Sequence, residues 1–283
     1  MAEIYVFGTA AADILLRMPE LPQPGGHTRA TLYGWRPGGS AANLACALAS
    51  AGHHVNLVGP IGDDPVAEAI IAELEQRNVR TEYLIRQPAA TPRTLILIDR
   101  TGERSMVALD PATDRPPVEP PIPPGLTHAD LIYVESCHKY PAMLAGASPA
   151  ALVVVPPPDD LTAAGPAHVV VGSAGQLPAP WARAPFDCAR THFGDQLRWI
   201  VLTDGPRGAI AYSAGRTITV PAEPARQLDA TGAGDAFAAG LLHSLLAGEP
   251  IENAMNCAAT WGAAAVEHHA SIPPAFHEVF DRA

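Results

Sequence analysis

The chain has 283 residues, 48% of them hydrophobic and 17% charged, a folded composition long enough for a sizeable core. A formal net charge of −11 argues against a nucleic-acid binder, which needs a basic surface. Seventeen of the eighteen basic residues are arginine. The single lysine, Lys139, follows His138, so no G-x-x-x-x-G-K-[ST] phosphate loop exists, and the P-loop kinases and protein kinases are poor candidates. Cys46, Cys137, Cys188 and Cys257 form no C-x-x-C pair and read as buried free thiols rather than zinc ligands. The N-terminus lacks a basic region and no apolar run reaches membrane-spanning length. A soluble cytoplasmic protein with no membrane partner is expected.

In chain order, Ile4 to Gly8 is a short β-branched and aromatic run that predicts a buried strand. A Pro- and Gly-rich loop, Pro19 to Gly26, precedes a half-exposed strand over Thr28–Trp35. Ser40 to Ala51 predicts a helix with Ala41, Leu44, Ala45 and Leu48 on its apolar stripe, Ser40 as cap and Gly52 as stop. Val55 to Gly59 is the next strand, and Asp64-Pro65 opens a helix to about Arg77. Strands over Thr94–Ile98 and Ser105–Leu109, joined by a turn at 100–103, suggest an antiparallel insert. A proline-rich connection follows over 111–124. Strand-like runs resume at Leu131–Val134, Leu152–Val155, Val169–Val171 and Trp199–Leu202. Next come a hairpin over Ala209–Tyr212 and Thr217–Val220, helices over about 235–247 and 251–268, and a short last helix. This alternation predicts an α/β fold with a doubly wound, mostly parallel sheet.

Asp229-Ala-Thr-Gly-Ala-Gly-Asp-Ala-Phe237 carries the most chemistry. It follows the hairpin and opens a helix, so Gly232, Ala233 and Gly234 lie at a helix N-terminus. Backbone N–H groups are free there and the dipole favours an anion. Small residues let that anion approach the backbone. A carboxylate beside such a turn, Asp235, can take a proton from an attacking hydroxyl. That is the arrangement for phosphoryl transfer to an alcohol. The bland alternative, that Asp229 and Asp235 merely cap a tight turn, stays open on these residues alone.

The stretch resembles the D-T-G-A-G-D-x-F signature of the ribokinase-like (PfkB) carbohydrate kinases. Gly38-Gly-Ser-Ala-Ala-Asn43 is similar to the same family's G-G-x-x-x-N-x-A signature, and Ala11-Ala12-Asp13 to its sugar-binding N-A-D context. Thr203-Asp-Gly-Pro-Arg-Gly208 resembles its T-x-G-x-x-G turn. The resemblance spans nearly the whole chain. It implies one ribokinase-like domain over 1–283, with a small β lid from about 28–35 and 81–109 through which a homodimer forms. It also implies an ATP- and Mg2+-dependent kinase acting on a hydroxyl of a sugar or nucleoside. In that reading Asp235 and the turn Gly232-Ala233-Gly234 are catalytic. Asp13, Gly38, Gly39, Asn43, Glu135 and Asp229 serve the substrate. Thr203, Gly205, Gly208, Thr231 and Ala259 serve the nucleotide.

Several positions depart from the family pattern. Where an N-x-x-E motif organises magnesium, the chain reads Gly172-Ser-Ala-Gly-Gln176, and the preceding strand ends in Val155-Pro-Pro-Pro158. No metal ligand is therefore assigned, and Asp235, Asp204 or Glu135 through water would have to serve. The segment His268–Ile272 lacks the glycine of the family's monovalent-cation loop, so a standard potassium site is not expected. His268-His269 reads as a solvated helix end. Tyr33 and Trp35 suit either ring stacking or a dimer interface, and Arg29 with Arg36 would suit a phosphorylated sugar. The alternative to a kinase is a non-catalytic sugar- or nucleotide-binding relative that lost its metal motif.

Overall fold

The computed structural model describes residues 1–100, 104–109, 122–135, 144, 147–158 and 165–281. Residues 101–103 of the expected turn, most of the proline-rich connection and Cys137 lie outside these. Among the described residues, short apolar strands form a nine-stranded sheet in the order β13-β12-β11-β10-β9-β8-β1-β4-β5. Its strands are β1 (Glu3–Phe7), β4 (His54–Gly62), β5 (Val79–Gln87), β8 (Leu131–Val134), β9 (Leu152–Val155), β10 (Val169–Ser173), β11 (Trp199–Thr203), β12 (Ala209–Ser213) and β13 (Arg216–Val220). All pairings from β5 to β11 are parallel, and β12 and β13 close the edge as an antiparallel hairpin.

Strands buried on both faces read as unbroken apolar runs, and the two faces feed two cores. Ile4 and Val6 face the helices α1 (Ser40–Ser50), α2 (Pro65–Gln76), α4 (Ala233–Leu246) and α5 (Ile251–Val266). Tyr5 and Phe7 face the other way, toward Trp181 and toward Phe186 and Phe193 of α3 (Pro185–Phe193). A last short helix, α6, covers Phe276–Phe280. Helix α3 has no counterpart in the sequence reading, although Phe186, Ala189 and Phe193 do mark a buried stripe. The cap of α1 also differs: Gly39 is the N-cap, no side chain caps, and Ser40 is the first helical residue.

A separate four-stranded sheet has the order β3-β2-β6-β7, from β2 (Ala11–Arg17), β3 (Thr31–Gly38), β6 (Arg93–Ile98) and β7 (Arg104–Leu109). This corrects the lid boundaries in two ways. Strand β2 belongs to it and has no counterpart in the sequence reading, because Ala11, Ala12 and Asp13 have low strand propensity and only pairing on both sides orders them. Strand β5 belongs to the large sheet, paired parallel to β4 with one register shift between Asn56 and Val58, so the small sheet resumes only at Arg93.

The chain crosses between the sheets at pinned places. At Gly39, φ is +96° and a Cβ would overlap the Thr9 carbonyl, so two crossings pack backbone to backbone. Asp64 accepts from Ala67 N as the cap of α2 at 2.9 Å. It also accepts from Thr91 N at 3.0 Å and Thr91 Oγ1 at 2.6 Å, which ties the crossing before β6 to the body.

Candidate active site

The carboxyl ends of β8, β9, β10 and β11 open onto a cleft of about 560 Å3, which the small sheet flanks. Clefts at that edge of a parallel sheet are the usual place for ligands. Of the residues singled out in the sequence, Asp13, Gly39, Asn43, Glu135, Thr203, Thr231, Gly232, Gly234 and Asp235 line it.

The glycine turn is built from local conformation. Gly232 is the N-cap of α4 with φ +79°, a left-handed conformation that costs a side-chain-bearing residue. A Cβ there would also overlap the Ser271 carbonyl. A Cβ on Gly234 would meet nothing within 4 Å, so this position opens onto the cleft. Asp235 lies in the first turn of α4, and its Oδ2 accepts from Asn43 Nδ2 at 2.8 Å. The carboxylate is thereby aimed by a side chain from α1. Burial pushes the Asp235 carboxyl up to about 6; the Asn43 hydrogen bond opposes this and the Glu135 charge adds to it. Asn43 is itself buried, and its Oδ1 has no hydrogen-bond partner among the described residues.

Glu135 follows β8, and its Oε2 accepts from Thr9 N at 2.8 Å. Gly8 makes room for it, since a Cβ at that position would crowd both Ala41 and the Glu135 carboxylate. Asp13 is 5% exposed and faces the cleft from β2. It accepts from Ser271 Oγ, and Arg36 Nε lies 3.5 Å from its Oδ2. Burial raises its proton affinity, while Ser271 and Arg36 lower it. Gly38 stands behind this carboxylate, where a Cβ would collide with it. Asp229 is also 5% exposed. Its Oδ1 accepts from Thr231 N at 2.7 Å and its Oδ2 from Arg36 Nη1 at 3.1 Å. Asp229 thus shapes the turn from behind rather than lining the cleft.

The other end of the cleft is less complete. Thr203 lines it, its hydroxyl 3.4 Å from the Gly172 carbonyl. Gly205 and Gly208 do not line it; Gly208 instead packs against the Val220 and Pro221 backbone. Ala259 is buried in the core on α5 and is not in the cleft wall. Gln176 does line the cleft, yet its Oε1 accepts from Ser173 N at 2.9 Å and caps a short helical turn. Asp204 is committed to Arg207 through two bonds of 2.6 Å. Among the described residues, no three His, Cys, Asp or Glu side chains are grouped to hold a metal. His268 and His269 are exposed beyond α5. Trp35 and Tyr33 are exposed and absent from the cleft wall, which leaves no ring-stacking role in it. Arg36 is bound up with two carboxylates rather than joining Arg29 in a basic cluster.

Sequence reasoning missed Ser271, Thr94, Met106 and Tyr133. Ser271 reaches Asp13 across 258 positions of chain, a separation that no local pattern encodes. Thr94 could have been found from the register of the small sheet, since it pairs with Asp13.

The sequence profile described as pfkB family carbohydrate kinase matches residues 1–152 and 188–277. The chain belongs to the PfkB carbohydrate kinase family. This PfkB kinase is a phosphotransferase with an alcohol group as acceptor. It is 26% identical over 276 residues to the ribokinase of Bacillus subtilis, covering 91% of this chain and 90% of that one. In fold it resembles the Thermotoga maritima ribokinase, with a TM-score of 0.81, 19% identity and coverage of 99% and 98%. It also resembles the Cryptococcus neoformans ribokinase solved in complex with ADP, with a TM-score of 0.79, 23% identity and 100% of both chains. Among the described residues of this PfkB protein, no helix is long and apolar enough to cross a membrane.

Proposed function

We propose that this PfkB kinase transfers the γ-phosphoryl group of ATP to a hydroxyl of a small sugar or nucleoside. The observation that carries the reading is Asp235, held by Asn43 at the open glycine turn, in one cleft with Asp13. Asp13 accepts hydroxyl hydrogens of the acceptor, Asn43 orients both acceptor and base, and Asp235 takes the proton from the attacking hydroxyl. The N–H groups in the first turn of α4 offset charge on the transferred phosphoryl group. Thr203 and Thr231 lie on the nucleotide side. The ribokinase relatives, one with ADP bound, support nucleotide use.

The described residues do not fit a protein-built magnesium cage, because Gln176 is neutral and turned back on Ser173. Magnesium therefore enters only as part of the Mg–ATP substrate, and no step runs through a protein-held metal. The same feature favours the second reading, a binding relative without turnover.

The deciding experiment measures ADP release with Mg–ATP against D-ribose, D-fructose and inosine. Acceptor-dependent release is expected. Binding of an acceptor in a thermal-shift assay without ADP release would replace the kinase reading with the binding one. Asp13→Ala is expected to raise the acceptor KM roughly ten- to hundredfold and to spare that of ATP, since it removes charge-assisted bonds worth about 1.5–3 kcal/mol each. We also infer a homodimer through the outer face of the small sheet, where Leu32, Trp35 and Val107 are exposed.

A further inference from the structure

Arg36 belongs to the small sheet, yet its charge is spent inside the protein. Its side chain is only 13% exposed, and it sits between two carboxylates that are themselves buried, Asp13 and Asp229. One guanidinium nitrogen donates to Asp229 Oδ2 at 3.1 Å, and Nε lies 3.5 Å from Asp13 Oδ2. Nε and Nη2 have no hydrogen-bond partner among the described residues. A guanidinium fits such a place because it is always charged and presents several donors in one plane. Removing it would leave two buried carboxylates facing each other without a cation, which proteins avoid.

The two carboxylates have different duties. Asp13 faces the cleft, and Asp229 fixes the glycine turn through Thr231 N. Ser271 touches both assemblies: its hydroxyl donates to Asp13, and its carbonyl lies against Gly232. One buried cation thus joins the acceptor end of the cleft to the turn at the start of α4. We infer that Arg36 is a positioning residue that holds Asp13 ionised and aimed at the acceptor while bracing the phosphoryl-binding turn through Asp229. This rests on the acceptor role proposed for Asp13. The charged groups around Asp13 are Arg36 on β3, Asp229 before α4, and Asp235 on α4, itself facing Glu135 after β8. Arg36 is the positive member of this set, so its loss shifts Asp13 toward the protonated form.

The test uses the full chain with D-ribose and D-fructose as acceptors and Mg–ATP as donor, comparing Arg36→Met, Arg36→Lys and Arg36→Ala. Arg36→Met is expected to raise the acceptor KM roughly ten- to hundredfold, the range of a lost bond to a charged group. The rise should steepen as the pH falls below neutral, and more so than in the wild type. Arg36→Lys should recover part of the loss. Millimolar guanidinium, but not sodium chloride, should recover part of it in Arg36→Ala. A folded Arg36→Met with wild-type acceptor KM across the pH range overturns the inference, as does equal rescue by sodium chloride. If the wild type turns over neither sugar, or a variant fails to fold, a 13C NMR titration of the Asp13 carboxyl in wild type and folded Arg36→Lys or Arg36→Met decides. A higher pKa in the charge-removed chain, or a shifted one in Arg36→Lys, supports the role, and an unchanged one sinks it. Failure of Asp13→Ala to alter acceptor KM would instead discard the acceptor reading and leave the carboxyl titration to judge Arg36.

Discussion

Burial and the nearby Glu135 charge lift the Asp235 carboxyl to about 6, and the Asn43 amide pulls it back. A base must be deprotonated to accept a proton, so its raised value sets an acid limb on the rate. With the acceptor that the ADP-release panel identifies, kcat/KM is expected to fall as the pH drops through about 6 and to level off above it. A flat profile down to the ordinary carboxylate range would remove Asp235 from that role. Asp235→Asn keeps the shape and the contact with Asn43 but cannot take the proton. Turnover should drop by roughly two to four powers of ten while acceptor binding in a thermal-shift assay persists. Near-wild-type turnover would mean that another group is the base.

At the scale of elements, α4 and α5 pack closely because α4 presents Gly240 to its neighbour. A Cβ on Gly240 would stand 2.8 Å from the Ala258 Cα. Gly240→Ala gains about 1 kcal/mol of helix propensity, but forcing a methyl group into backbone costs roughly 1–3 kcal/mol. The clash should win, lowering the melting temperature, and a stabilised variant would show that α5 yields freely. The glycine-turn segment was legible in the sequence because its information is local: a turn, a helix start and two acids within nine residues. The large sheet was legible for a similar reason, since each buried strand is a short apolar run. What escaped was set by distance along the chain. Strand β2 is held by partners on two sides rather than by its own composition. Strand β5, with Arg80, Glu82 and Arg86 exposed, falls largely in the stretch expected to be lid and turns out to be the edge of the large sheet. The pairing of Arg36 with Asp229 spans 193 positions, so no motif announces it.

For the whole molecule, the small sheet leaves one face exposed. Trp35, Ile14, Leu95 and Val107 fall in one cross-strand row, opposite to the face that carries Asp13 and Thr94. Trp35 is 51% and Leu32 67% exposed, an apolar surface of the kind that marks interaction sites. The proposed homodimer should appear as twice the chain mass in light scattering, and Trp35→Glu should return it to one chain without loss of fold. A wild type of single-chain mass at assay concentration would refute that partner.

The crossings between the sheets carry a mechanical consequence. Gly39 leaves room for the Thr9 carbonyl where a Cβ would collide, Thr9 N is held by Glu135, and Thr91 is held twice by Asp64. The small sheet is therefore a leaf on a stem, tied at the end where Asp13 and Arg36 lie, with no such tie among the described residues toward Arg17 and Ile98. For any given flex, displacement grows with distance from the clamp. The far rim sweeps through the largest arc, and the carboxylate nearest the stem hardly shifts. Any swing of the leaf would therefore leave its reactive end aimed.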